Sequence, residues 1–101
     1  MTPEAKVKKK VVDVLKTYGA YYFYPVTGGF GRSGVPDIVV CHLGFFIAIE
    51  CKAGNNKPTE LQKAQMAQIR DAGGTTLVIN EDNIHLIKLL LDHRKEIHGS
   101  Q

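Results

Sequence analysis

Two carboxylates and an amine stand out in the segment GVPDIVVCHLGFFIAIECKAG, residues 34–54. Asp37 opens one apolar run, and Glu50 and Lys52 close the next. Runs of this kind read as buried strands, where paired like charges repel unless something neutralises them. Two arrangements do so. Lys52 can pair with Asp37 as a salt bridge at a solvent-exposed strand end. Alternatively, a divalent cation that favours oxygen ligands compensates both acids at once.

The elements around these residues must bring them together. Leu43-Gly44 separates two strands, over residues 36–42 and 45–52. With a two-residue turn, the partner of residue i is 87 − i, which sets Asp37 opposite Glu50. Directly opposed residues share a face, and Lys52, two residues beyond Glu50, points the same way. Leu-Gly is not a favoured hairpin turn, so its type stays open. Val39, Cys41, Phe46 and Ala48 complete that face. Ile38, Val40, His42, Phe45, Ile47, Ile49 and Cys51 form the other. Both are largely apolar, as in central strands covered by helices.

The remaining elements follow from caps and punctuation. Thr2-Pro3-Glu4 starts a helix that runs to about residue 18 and stops at Gly19. Residues 20–24 are strand-like and end at Pro25, and a glycine-rich loop spans residues 26–34. A second helix begins at Thr59 and ends at Gly73-Gly74; a strand covers residues 75–80. Asp82 or Asn83 caps a last helix, which extends to about residue 96. A right-handed crossover through the second helix makes the third and fourth strands parallel. The prediction is an α/β fold of order αβββαβα, a mixed four-stranded sheet flanked by helices.

Two further polar residues fall near the hairpin's open end. Glu4 shares a helical stripe with Val7, Val11, Val14, Leu15 and Tyr18, so it faces the sheet. Its alternative is a dipole-favoured acid paired with Lys8. Gln62 matches a capping box with Thr59, which does not exclude a polar contact near the site.

Composition limits the function classes. The chain has 101 residues, 44% of them hydrophobic, and a net charge of +3. That fits one small domain over residues 1–101 that needs no staples. No apolar run is long enough for a membrane span, and the N-terminus lacks the apolar region of a secretion signal. A cytoplasmic protein is expected. Cys41 and Cys51 lack zinc spacing and point to opposite faces, against a disulfide between them. Mild basicity is compatible with a polyanionic partner, although the run Lys6, Lys8, Lys9, Lys10 also reads as a solvated helix face.

Gly34-Val35-Pro36-Asp37, then twelve intervening residues, then Glu50-Cys51-Lys52 resembles the PD-(D/E)xK nuclease pattern. The longer set is similar to the VRR-NUC (virus-type replication-repair nuclease) branch. It comprises residues 31–38, 49–54, Thr59 with Gln62, and Gly73-Gly74. The resemblance implies a restriction-endonuclease-like core and a Mg²⁺- or Mn²⁺-dependent endonuclease acting on DNA. It implies Asp37 and Glu50 as metal ligands, with the Cys51 backbone carbonyl and Lys52 as catalytic lysine. Glu4 matches the first-helix acid, which would support a second ion or the water, and Gln62 the second-helix glutamine. An aliphatic residue is more usual where Cys51 stands.

Stand-alone members of this size resemble homodimeric Holliday-junction resolvases, so branched DNA and a role in phage or bacterial replication and repair are expected. DNA contacts are expected from Arg32 and Ser33 in the glycine-rich loop and from Lys8 and Lys9. Gly28, Gly29, Gly31 and Gly34 would let phosphate approach the backbone closely. Residues 21–24, or Leu89, Leu90 and Leu91, are candidates for a dimer interface or simply for core. The competing reading is a non-catalytic DNA-binding module of the same fold.

Overall fold

The computed structural model describes residues 1–26, 31 and 33–99. Its elements are α1 (Pro3–Thr17), β1 (Tyr21–Phe23), β2 (Ile38–His42), β3 (Phe45–Cys51), α2 (Glu60–Asp71), β4 (Thr75–Ile79) and α3 (His85–Gly99). The strands form one mixed sheet in the order β1-β2-β3-β4. β1/β2 and β2/β3 are antiparallel, and β3/β4 is parallel across the α2 crossover.

The hairpin register follows the two-residue turn: Ile38 faces Ile49 and His42 faces Phe45. Leu43 (φ 52°) and Gly44 (φ 83°) both have positive φ. That is type I′ backbone, whose twist matches the flanking strands. Leu43 is the only non-glycine with positive φ among the described residues. The left-handed conformation costs it about 1–2 kcal/mol.

Side-chain alternation gives the sheet two unlike faces. Ile38, Val40, Ile47, Ile49, Cys51 and Ile79 are buried against Val7, Val11 and Leu15 of α1 and Ile87 and Leu91 of α3. Each such aliphatic side chain contributes about 1.5–3 kcal/mol through burial. On the opposite face α2 covers the β3–β4 half. Met66 is buried there, and Arg70 donates to Thr76 Oγ1 at 2.9 Å. A Cβ on Gly74 would meet Ile69 at 2.6 Å and Phe46 at 3.0 Å, so the chain passes closely there. Among the described residues nothing covers the β1–β2 half, where Tyr21, Phe23 and Cys41 are exposed. The expectation that helices cover both faces therefore holds for one face and half of the other.

Local signals set the helix ends. Thr2 accepts the Ala5 N–H at 3.1 Å, and Gly19 (φ 67°) turns the chain after α1. Thr59 and Gln62 form a complete capping box on α2. The expected cap of α3 is not made. Asn83 instead ties back to β4, its Oδ1 accepting the Asn80 N–H at 2.7 Å and its amide donating to the Val78 carbonyl at 3.1 Å. The helix then starts at His85.

Candidate active site

Asp37 lies just before β2, where the ladder has ended and its side chain takes over the hydrogen bonding. Its Oδ2 accepts the Cys51 N–H at 2.8 Å. This bond draws the acid toward β3. Carboxylate oxygens of Glu4, Asp37 and Glu50 all lie within 4.8 Å of one another. Glu4 is exposed, Asp37 half-buried and Glu50 only 1% exposed. α1 thus delivers its first-turn acid over the open end of the hairpin, in line with the apolar stripe below it.

The electrostatics of this trio are costly. Neither Glu50 oxygen has a hydrogen-bond donor. Burial pushes the Glu50 carboxyl up to about 8; the neighbouring Asp37 and Glu4 add to the shift, and Lys52 opposes it. At neutral pH the Glu50 carboxyl therefore keeps its proton. Lys52 is half-buried, and among the described residues it makes no ion pair. Asp37 Oδ2 accepts the Cys51 amide, and no Asp37–Lys52 salt bridge is formed among the described residues. The Cys51 thiol is buried on the reverse face and pushed up to about 12, first by burial and then by the acids. It stays protonated, which removes it as a nucleophile or thiolate ligand.

Three convergent carboxylates, one buried without donors, suit a hard divalent cation: its ligands are oxygens, and it supplies the missing positive charge. The donor set contains no soft ligand.

The sequence is 31% identical over 85 residues to "Putative nuclease p44" of Acyrthosiphon pisum secondary endosymbiont phage 1. The match covers 83% of this chain and 89% of that protein. In structure the chain is similar to a solved VRR-NUC domain, with a TM-score of 0.71 and 24% identity. That similarity covers 92% of this chain and 98% of the other. The sequence matches no family model. The chain belongs to one family with that phage protein, and its fold is that of a VRR-NUC domain.

The other expected residues of this chain fall into three groups. Lys8 lies one turn after Glu4 with its ammonium 4.3 Å from the Tyr24 ring centroid, and its charge is felt at Cys51. It is therefore near the trio, and it does not pair with Glu4. Lys9 is turned away and pairs with Asp13 at 3.1 Å. Gln62 Oε1 accepts the Thr59 N–H at 2.8 Å, so that oxygen is used in the cap. Ser33 is exposed, whereas Arg32, Gly28 and Gly29 lie outside the described residues.

Gly34 has a role that spacing did not reveal. At φ 76° an added Cβ would lie 2.6 Å from the Leu61 carbonyl carbon and 2.8 Å from the Gln62 nitrogen. The glycine is required by backbone packing against the start of α2. Its contact partners are far away in sequence, so only its neighbours Pro36 and Asp37 hinted that it mattered.

Proposed function

We propose that the chain is a single-domain, metal-dependent endodeoxyribonuclease. The observation that carries this reading is the buried, donorless Glu50 carboxyl group grouped with Asp37 and Glu4, near Lys52, which makes no ion pair among the described residues. Asp37 and Glu50 would hold Mg²⁺ or Mn²⁺, and Glu4 would support the ion or its water. Lys52 N–H donates to the Ile79 carbonyl, so strand alternation turns the Cys51 amide and carbonyl the other way. The amide meets Asp37, which supports the carbonyl as a further ligand. When bound, the cation lowers the pKa of water and polarises a phosphoryl oxygen.

The chain's own groups do the rest. Glu50 must give up its proton before it can serve as a ligand, so Asp37 and Glu50 act as a pair. Lys52 orients the attacking water and stabilises charge gathering on the phosphate. Gln62 retains its amide group for a polar contact at the site's edge. Lys8, Lys9, Ser33 and Arg32 contact the DNA backbone, so binding weakens steeply with salt.

The substrate we favour is branched DNA of the Holliday-junction type, cut by a homodimer whose two-fold symmetry supplies paired sites. The exposed Tyr21 and Phe23 suit such an interface better than α3, where Leu91 is core and Leu89 alone of Leu89–Leu91 is strongly exposed. The setting is the cytoplasm of a bacterium or phage-infected cell, in replication or repair. A panel of branched and linear DNAs incubated with Mg²⁺, Mn²⁺ or EDTA tests the reading. Metal-dependent cleavage that favours branched DNA is expected. Binding without cleavage in any metal would instead make the chain a non-catalytic DNA-binding module.

A further inference from the structure

The segment that carries Lys52 from β3 toward α2 leaves the sheet almost at once. Lys52 N–H makes the last ladder bond, to the Ile79 carbonyl at 2.9 Å. The next amide facing β4, two residues on, is Gly54. β4 has ended by then, so no backbone acceptor continues the ladder. The Glu81 carboxylate fills that place: its Oε1 accepts the Gly54 N–H at 2.6 Å. Bonds to an ionised acceptor are shorter and stronger than neutral ones.

Glu81 itself stands on a braced turn. Asn80 N–H donates to Asn83 Oδ1 at 2.7 Å, and Asp82 N–H donates to Asn80 Oδ1 at 2.8 Å. The Asn83 amide donates to the Val78 carbonyl at 3.1 Å. Side chains thus hold the turn to the end of β4 and fix the point from which Glu81 reaches out. Within the segment it reaches, Asn56 N–H donates to the Ala53 carbonyl at 3.2 Å. Gly54 also has φ 58°, where the chain bends away from the strand direction.

We propose that Glu81 is a positioning residue for Lys52. The inference rests on the catalytic role proposed above for that lysine. Lys52 has a long, flexible side chain and no ion pair among the described residues, so its direction depends on the backbone that carries it. That backbone is pinned on one side by the Ile79 carbonyl and, two residues later, by Glu81. Small displacements of a reacting group are expensive: about 1 Å can cost on the order of 100-fold in rate. Glu81 is not part of the acidic trio; it acts through the Gly54 amide.

The test uses the full chain and the variants Glu81→Ala and Glu81→Gln, with DNA cleavage and NMR of the Gly54 amide and the Lys52 side chain. In Glu81→Ala, kcat should fall about 10- to 100-fold with KM unchanged. The Gly54 amide should lose its low-field shift and exchange protection, and the Lys52 signals should move. Glu81→Gln keeps an acceptor oxygen and should restore all three. Wild-type kcat in Glu81→Ala, or a glutamine variant as defective as alanine, would overturn the proposal. So would a loss that appears in KM alone. A wild-type protein that cleaves no DNA would defeat the nuclease reading and the positioning role with it, while the Gly54 amide would still report whether the clamp exists.

Discussion

The two ends of the β2–β3 hairpin bury titratable groups in opposite ways. At the turn end, a cavity of about 610 Å³ is lined by Val14, Tyr18, His42, Leu43, Lys88 and Asp92, among others. The acid there is fully served: Asp92 accepts from the Tyr18 hydroxyl at 2.6 Å and from Lys88 at 3.1 Å. Those bonds hold its carboxyl below the usual range. Burial and His98 lower the pKa of His42 beside it. At the open end, Glu50 has no donor and is raised to about 8. One end is arranged for stability. The other holds a charge deficit that a ligand can relieve, which marks a functional site.

The largest effect should come from chemistry at the open end. Lys52→Ala and Glu50→Gln should each lower cleavage by at least about 100-fold while circular dichroism shows the native fold. Metal-dependent cleavage at the wild-type rate by a pure Lys52→Ala preparation would remove that lysine's role. Next in size is the backbone that supports the site. Gly34→Ala forces a left-handed alanine into the backbone of α2 and should cost more than about 2 kcal/mol by denaturant unfolding. A neutral result would mean that the close approach relaxes freely.

The pH dependence of stability should differ in sign between the two ends. Between about 4.5, the ordinary value for a glutamate, and about 8, folded Glu50 holds its proton while the unfolded carboxyl loses it. The native state then binds more protons, so the metal-free protein loses stability as pH rises through that window. Glu50→Gln should abolish the slope and be the more stable protein at neutral pH, by a few kcal/mol (order of magnitude). Asp92 has a lowered folded pKa, so its contribution is present above 3.8 and fades as pH falls below it. Tyr18→Phe should therefore give the smallest effect, a slight loss of Tm at neutral pH that shrinks in acid and leaves cleavage unchanged. Equal pH slopes in wild type and Glu50→Gln would erase the contrast between the ends.

Much of this contrast was legible in the residues themselves. The pairing of Asp37 with Glu50 follows from strand alternation and an even turn, both properties of a short continuous stretch. Glu4 was found the same way, from helical spacing. Asn83 misled because asparagine caps helices and braces turns with the same side-chain groups. The α2 coverage of only half a sheet face depends on helix placement, which no local pattern encodes. Leu43 was unexpected in a type I′ turn because its preference there runs against the backbone it adopts.

The central claim is that Glu50 is a metal ligand kept protonated until a cation arrives. Calorimetric titration of Mn²⁺ into the protein at pH 7, in two buffers of different ionisation enthalpy, tests it directly. Binding with release of about one proton is expected for wild type, with both the binding and the release lost in Glu50→Gln. No binding to wild type, or undiminished binding to Glu50→Gln, would contradict it.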